Sequence, residues 1–292
     1  MSFDEWKTRT ESLIDHWIEG LVAKWSVRPG SVEEAMRYSL LAGGKRLRPL
    51  LVLAAAAYLD QEPARFAPVA LAVELIHTYS LIHDDLPAMD DDDWRRGQPT
   101  SHKVFGEAMA ILAGDALLTE AFSVYAETLD QGFDPVRVVS GLHLLADAAG
   151  RDGLIRGQVE DLQAEHRAVT LAELEAIHRR KTGALFRAAV VLPAVLIGGI
   201  EAKPALEAYG EHFGLAFQIV DDILNVIGDQ KTMGKATGTD QVHGKATYPS
   251  LVGLAEARRL AEAHRDQAAQ AIAGPRGEPL LGLLRLAVER AG

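Results

Sequence analysis

The chain has 292 residues, of which 48% are hydrophobic and 24% are charged. This length fits either two ordinary domains or one large core, and the apolar content excludes a disordered protein. A formal net charge of −11 argues against a general nucleic-acid binder, which needs a clustered basic surface. Because the sequence has no cysteine, disulfides, thiolate metal sites and cysteine nucleophiles are excluded.

The N-terminal segment Met1–Lys7 mixes acidic, aromatic and basic residues. It lacks the charged-then-apolar pattern of a signal peptide, so we expect a cytoplasmic protein. The longest apolar run, Ala188–Ile200, is too short to span a bilayer and is interrupted by one proline and two glycines. The sequence therefore predicts no transmembrane segment.

Long segments rich in alanine and leucine, apolar at spacings of three and four residues, predict helices. These segments are Glu33–Ala42, Arg65–Asp85, Ala108–Leu129, Leu171–Ile197 and Ala205–Val226. Alternating β-branched runs are essentially missing, which favours an all-α fold. Two stretches, Ala67–His83 and Phe186–Ile197, are apolar nearly all round and belong inside a thick helical bundle. Without linkers or repeats, we expect one domain over residues 1–292.

The first chemical motif in chain order is Gly43–Pro49, with the sequence GGKRLRP. Its two glycines form a turn that opens a helix and places Lys45 and Arg48 on one face. Helix starts and cations both attract phosphates. Such a helix start is by itself more often ordinary surface, so its value depends on other motifs.

The strongest local signal is the aspartate-rich stretch Asp84–Asp93. So many carboxylates after an apolar helix are unfavourable unless cations neutralise them, and oxygen-only ligands suit magnesium. Pro87 should end the helix and let Asp90 fold back toward Asp84. A solvated acidic helix end is the alternative interpretation of this stretch alone.

A second aspartate pair, Asp221–Asp222, lies in another strongly apolar segment, with Asn225 one helical turn after Asp221. Carboxylates facing each other from two helices would clamp magnesium ions around a diphosphate. The clamp would draw electrons from the leaving group and favour cleavage of its carbon–oxygen bond.

Positive charge is concentrated near turns and buried segments, although the protein is acidic overall. The residues concerned are Arg95, Arg96, Lys181, Lys235 and Lys245. Two polar stretches, Pro87–His102 and Gly228–Pro249, are long for loops in a compact helical domain and are expected to line or close a site. His77 and Gln218 lie in apolar segments, where a lone polar residue is either a satisfied core group or a ligand contact.

The dyad His83–Asp84 leaves a rival interpretation open, because it resembles the histidine–aspartate pair of metal phosphohydrolases. Such an enzyme would need further histidine ligands. His77, His102 and His143 form no evident scheme for that purpose.

Taken together, these motifs resemble the trans-isoprenyl diphosphate synthase family, and within it the bacterial-type farnesyl diphosphate synthases. The resemblance covers nearly the whole chain. The matching pieces are Gly43–Pro49, Ile76–Gly97, Gly114–Asp115, Lys181–Gly183, Phe217–Asp222 and Gly228–Pro249.

The resemblance implies a role for each matching residue. Asp84 and Asp90 would ligate two magnesium ions, Asp85 would support them, and Asp221 would hold a third. The isopentenyl diphosphate pocket would comprise Lys45, Arg48, His77 and Arg96. The allylic diphosphate would be surrounded by Arg95, Lys181, Thr182, Gln218, Lys235 and Lys245. Within that group Arg95, Lys181, Thr182 and Gln218 would be catalytic, and Thr182 would offer oxygen near the forming carbocation.

The implied fold is a helical bundle around a central cavity, usually a homodimer. The implied reaction is ionisation of the allylic diphosphate, attack by the isopentenyl double bond and loss of a proton to the departing diphosphate. One position departs from the family pattern, because Asn225 stands where an aspartate is usual. We expect this change to weaken the third metal site without abolishing activity.

Product length should depend on Tyr79 and Ser80, which lie about one helical turn before Asp84. The bulk of Tyr79 resembles farnesyl-forming members of the family, although plain core packing would also explain an aromatic residue here. A geranylgeranyl-forming enzyme is the nearest alternative. A terpene cyclase would not need a second diphosphate pocket, and a non-catalytic partner subunit would be expected to lose the aspartates or basic residues that this chain keeps.

Overall fold

The computed structural model of the chain describes residues 2–165, 167–227 and 245–288. Nearly all regular structure in these residues is helical, so the all-α prediction is confirmed. The first helices are α1 (Phe3–Ala23), α2 (Val32–Leu41), α3 (Leu47–Tyr58), α4 (Ala67–Asp84), α5 (Ser101–Phe105) and α6 (Glu107–Ala126). Lys235 and most of the loop predicted over Gly228–Pro249 lie outside the described residues.

The second half of the chain continues the bundle. Its helices are α7 (Pro135–Ala149), α8 (Leu154–Ala164), α9 (Leu171–His178), α10 (Ala184–Ile197), α11 (Lys203–Ile227), α12 (Tyr248–Val252), α13 (Leu254–Ala271) and α14 (Glu278–Val288). Helix α4 packs against α3 and α6, and α10 packs against α3, α7 and α11. Both are buried along most of their length, as their all-round apolar sequences predict.

The two apolar segments Pro63–Asp84 and Glu107–Gln131 are long enough to cross a membrane by length and composition alone. The most apolar window of the first is 67% buried against other helices, which is typical of a core helix. The corresponding window of the second is only 39% buried, so part of its apolar surface faces outward.

A short hairpin follows the first aspartate motif, which the sequence did not predict. Strand β1 (Trp94–Arg95) pairs antiparallel with β2 (Gln98–Pro99). Arg96 and Gly97 between them have φ values of 53° and 76°, and two successive positive φ angles are typical of a tight hairpin turn. Two-residue strands are too short to show an alternating pattern in the sequence.

The segment Leu171–Ile197, predicted as one helix, is interrupted by a π-helical turn at Arg179–Gly183. This turn carries Lys181 and Thr182. It is closely packed, because a Cβ atom added at Gly157 of α8 would lie 2.1 Å from the backbone nitrogen of Lys181. A π-turn inserts an extra residue into the helix, and such turns often occur at functional sites.

Candidate active site

The C-terminal end of α4 borders a cavity of about 590 Å³. Its walls come from the start of α3, from α4, α8 and α11, from the hairpin and π-turn, and from the segment after residue 244. The predicted site residues that line it are Lys45, Arg48, His77, Ser80, Asp84, Asp90, Arg95, Arg96, Lys181, Thr182, Gln218, Asp221 and Lys245. Motifs that are far apart in the sequence therefore meet around one space.

The first aspartate motif turns back on itself as predicted from Pro87. Helix α4 ends at Asp84, and the backbone N–H of Asp90 donates to the carbonyl oxygen of Asp84 over 2.9 Å. Burial raises the pKa of the Asp84 carboxyl group, although Lys181 opposes the shift. A raised pKa means that positive charge around this carboxylate does not fully compensate its burial, and a divalent cation would supply more.

Asp85, next in sequence, has a different environment and is only 3% exposed. Its Oδ1 atom accepts a hydrogen bond from Nε of Arg95 over 2.7 Å. Burial raises the pKa of Asp85 to about 6, because it outweighs the opposing effect of Arg95. Asp85 therefore fixes the position of Arg95 on the hairpin.

Two lysines from different segments pair with the carboxylates of the acidic wall. Nζ of Lys181 lies 2.7 Å from Asp161, and Nζ of Lys245 lies 2.6 Å from Asp90. Burial lowers the pKa of Lys181, but Asp84 and Asp161 outweigh it and raise the pKa above its usual value. Both lysines are therefore held as cations beside the carboxylates.

The second aspartate pair faces the first across the cavity from α11. Both residues line the cavity, where Asp221 is half-buried and Asp222 is only 4% exposed. Asn225 is also 4% exposed and is not among the described residues that line the cavity. The hydroxyl of Thr182 donates to Oε1 of Gln218 over 3.0 Å, which joins the π-turn to α11.

The other end of the cavity is basic. The guanidinium group of Arg48 lies 4.3 Å from the ring centroid of Phe186, in cation–π contact, and burial lowers its pKa to about 10. Burial, reinforced by Arg48 and Arg96, holds the pKa of His77 well below its usual value, so this side chain is neutral. Arg96 packs directly on Gly44, where an added Cβ would lie 2.7 Å from its Cζ atom.

Sequence reasoning missed several polar residues at this site. Glu74 is 1% exposed and pairs with Arg46 over 2.8 Å, which places a negative charge near the basic end. Gln158 and Asp161 line the cavity from one face of α8, three residues apart. The three-residue spacing of these polar side chains beside Gly157 was the one sequence signal that they share a functional face of the helix. The same spacing is also found on an ordinary solvent-exposed helix face.

The two residues proposed for chain length lie at different places. Ser80 lines the cavity, and its hydroxyl donates to the carbonyl oxygen of His77 over 2.9 Å. Tyr79 is 5% exposed and packs edge-on against His83, with ring centroids 5.7 Å apart. His83 is thus engaged away from the carboxylates, with Nε2 3.0 Å from the carbonyl oxygen of Ile111, and it does not form the dyad of a metal hydrolase.

Asp91, Asp93 and His102 bring possible ligand atoms within 4.8 Å of one another outside this cavity. Both aspartates are exposed, and Asp93 pairs with Lys103 over 2.6 Å. This cluster is therefore separate from the carboxylates that face each other across the cavity.

Comparison with known proteins agrees with this geometry. Residues 29–274 match the family described as polyprenyl synthetase. Farnesyl diphosphate synthase of Geobacillus stearothermophilus is 49% identical over 267 residues, which cover 91% of this chain and 88% of that protein. Geranylgeranyl pyrophosphate synthase 11 of Arabidopsis thaliana is 48% identical over 262 residues, which cover 87% of this chain and 73% of that protein.

A solved structure shares the fold. The geranyltransferase of Helicobacter pylori, crystallised with magnesium and isoprenyl diphosphate, superposes with a TM-score of 0.78 at 31% sequence identity. The match covers 96% of this chain and 94% of that one. The similarity therefore extends over the whole bundle and is not confined to the motifs.

The packing of Gly157 against the π-turn gives a test of how the site is positioned. In Gly157→Ala the new methyl group would meet the backbone of Lys181, so we expect the free energy of unfolding to fall by about 1–3 kcal/mol. Urea unfolding measures this free energy.

Gly20→Ala is the matched control, because Gly20 is an exposed glycine in α1 with nothing within 4 Å of an added Cβ. It should stabilise the helix by up to about 1 kcal/mol. Equal effects of the two substitutions would contradict the packing argument.

Proposed function

The chain belongs to the polyprenyl synthetase family and is a prenyltransferase, and we propose that it condenses isopentenyl diphosphate with dimethylallyl or geranyl diphosphate to give (2E,6E)-farnesyl diphosphate. One observation carries this proposal: the cavity is lined by carboxylates that pair with Lys181 and Lys245, and also by a second, basic group in which Arg48, Arg96 and His77 lie close together. Chain elongation requires two diphosphate substrates in one site. A terpene cyclase binds only one.

We assign the isopentenyl diphosphate to the basic end, at Lys45, Arg48, His77 and Arg96. Two arginines and a lysine around a neutral histidine suit a diphosphate that binds without a metal ion. Glu74 limits the mutual repulsion of the arginines, since it raises the pKa of both Arg48 and Arg96 against the effect of burial.

We assign the allylic diphosphate to the acidic end, where magnesium would bridge it to the protein. The family depends on magnesium, and the carboxylate oxygens of Asp84, Asp90 and Asp221 are a donor set that suits this ion. Three ions per site, with Asp85 in support, are part of the proposal. Bound magnesium would neutralise the diphosphate and make it a better leaving group.

The remaining residues of this end would act on the same substrate. Arg95, Lys181 and Lys245 would bind the allylic diphosphate oxygens as cations and stabilise the charge that develops on them as the carbon–oxygen bond breaks. Lys235, outside the described residues, has the same proposed role. Gln218 would also border the allylic diphosphate, and Thr182, which donates to Gln218, would place an oxygen atom near the allylic cation. The apolar walls of the bundle would keep water from the cation.

Product analysis tests the function directly. The chain is supplied with isopentenyl diphosphate and either dimethylallyl or geranyl diphosphate, with and without magnesium, and products are identified by mass spectrometry. We expect a C15 diphosphate that forms only with magnesium. A C20 product would keep the reaction and replace the farnesyl assignment with the geranylgeranyl alternative. If isopentenyl diphosphate is not consumed, the proposal fails.

Tyr79 is proposed to limit the product to C15. It is nearly fully buried and packs on His83, one helical turn before the aspartates, so its ring occupies space that a longer chain would need. We expect Tyr79→Ala to give products of C20 or longer as a major fraction, measured by the same mass spectrometry. Tyr79→Phe keeps the ring and should still stop at C15. An unchanged product from Tyr79→Ala would show that the ring only packs the core.

We also propose a cytoplasmic single-domain protein that forms a homodimer. A continuous hydrophobic core that includes residues from α1 to α14 supports one domain. Exposed apolar side chains on α6, α7 and α8 support a subunit interface. They are Ile111, Leu112, Val136, Val139, Ile155 and Val159. An apolar surface of this kind is typical of a contact with another protein surface.

Sedimentation velocity tests the interface. We expect a dimer for the unmodified chain, and a dissociation constant at least tenfold higher for Leu112→Lys, since a buried lysine without a partner is unfavourable. Leu251→Lys is the control, because Leu251 is 37% exposed on α12, which packs against α9, α11 and α13. A monomer in the unmodified chain, or equal effects of the two substitutions, would contradict the proposed interface.

A further inference from the structure

Asp222 has both carboxylate oxygens occupied by the protein itself. Its Oδ1 atom accepts from Nε2 of Gln218 over 3.0 Å, and its Oδ2 atom accepts from the backbone N–H of Tyr248 over 3.0 Å. Nε2 of His178 lies 3.6 Å from the same Oδ2 atom. With 4% exposure, this carboxylate is enclosed by three structural elements, α9, α11 and the start of α12.

These contacts fix the orientation of the Gln218 amide. An ionised carboxylate only accepts hydrogen bonds, so Gln218 must turn its NH₂ group toward Asp222. Its carbonyl oxygen then faces Thr182, whose hydroxyl lies 3.0 Å away. Because an amide oxygen also only accepts, the single proton of the Thr182 hydroxyl is directed to Gln218.

The direction of that proton decides what Thr182 can do in the cavity. With its proton committed to Gln218, the hydroxyl oxygen has only lone pairs left for other contacts. Lone pairs stabilise a nearby positive charge, whereas an O–H group pointing toward a cation would repel it. The hydrogen bonds that run from Asp222 through Gln218 to Thr182 therefore set the sign of the partial charge that Thr182 presents to the cavity.

We propose that Asp222 is a positioning residue that acts through Gln218, so that the lone pairs of the Thr182 hydroxyl oxygen, and not its proton, face the allylic cation. This inference rests on the proposed function, because it assumes that an allylic cation forms in the cavity. It separates the roles of the two neighbouring aspartates: Asp221 is a metal-ligand candidate, and Asp222 is part of the scaffold.

The same carboxylate anchors a second part of the site. Tyr248, whose N–H it accepts, lies three residues after Lys245, and Nζ of Lys245 lies 2.6 Å from Asp90 of the first aspartate motif. Asp222 thus joins α11 to the segment that returns Lys245 to the acidic wall. Tyr248 also stacks on His178, with ring centroids 5.7 Å apart, which restricts the start of α12 further.

The substitution Asp222→Asn has a defined consequence in this arrangement. The backbone N–H of Tyr248 can only donate, so it would keep the one oxygen of the new amide. The NH₂ group of Asn would then face Gln218 and require its carbonyl oxygen. Gln218 would flip, turn its own NH₂ group toward Thr182 and force the hydroxyl proton to point elsewhere.

The experiment is a double-mutant cycle on the full-length chain, with Asp222→Asn, Thr182→Val and the double variant. Initial rates of isopentenyl diphosphate consumption give kcat and KM. Each single substitution should lower kcat by about 10-fold to 100-fold, with KM values changed by less than about threefold. If Asp222 acts through Thr182, the kcat of the double variant should be at most about threefold lower than the kcat of the slower single variant.

Magnesium titration separates positioning from metal ligation. The magnesium concentration for half-maximal rate should stay within about twofold in Asp222→Asn, since each oxygen of Asp222 already accepts a hydrogen bond from the protein. It should rise at least about tenfold in Asp221→Asn. Multiplicative losses of kcat in the double variant, or a magnesium shift in Asp222→Asn as large as in Asp221→Asn, would overturn the inference.

A second variant covers the case in which Asp222→Asn does not fold. Gln218→Met removes the same relay but leaves the bond from Asp222 to Tyr248 intact, and it should be equally non-additive with Thr182→Val. Additive losses there would also overturn the inference. Failure of the proposed function is distinguishable, because the unmodified chain would then consume no isopentenyl diphosphate at all.

Discussion

The arrangement of the site depends on carboxylates that are buried close together at the end of an apolar helix. Asp84 is half-buried at the cavity wall, burial raises its pKa, and Asp90 is brought back beside it by the turn after α4. Like charges in a low-dielectric site repel strongly, so positive groups must be held nearby. Lys181 from the π-turn and Lys245 from the segment before α12 meet this requirement from two directions. The hairpin adds a third positive group, because it places Arg95 in hydrogen-bond contact with Asp85.

At the basic end it is positive charges that lie close together and repel one another. Burial lowers the pKa of both Arg48 and Arg96, and neighbouring arginines lower it further: Arg96 acts on Arg48, and Arg46 and Arg95 act on Arg96. Burial, Arg48 and Arg96 also depress the pKa of His77. Glu74 offsets this repulsion from within α4 without entering a metal site. An anion entering this end would relieve the repulsion further, whereas an anion entering the acidic end needs a cation between itself and the carboxylates. Under the proposed function, this difference in charge would direct the metal-free diphosphate to one end of the cavity and the metal-bound diphosphate to the other.

Much of this organisation follows from the sequence, because the signals are local. Apolar periodicity gives α4 and α11, and Pro87 explains why Asp90 returns to Asp84. The π-turn was not predictable, since the sequence around Lys181 continues a helical pattern and the interruption reflects close packing on Gly157. Asp161 was missed for a related reason: a carboxylate on a polar helix face is ordinary until the fold places a lysine 2.7 Å away. Contacts between distant segments decide these features, and no local pattern encodes them.

Helix geometry gives the two members of each aspartate pair different environments. Successive helical residues point about 100° apart, so both members of a pair cannot face one metal site equally. In each pair the first member, Asp84 or Asp221, lines the cavity as a metal-ligand candidate. The second member is almost fully buried and holds a polar side chain that also borders the cavity: Asp85 binds Arg95, and Asp222 binds Gln218. In each aspartate pair the first carboxylate is therefore free to serve as a metal-ligand candidate, because the second one fixes the neighbouring polar side chain.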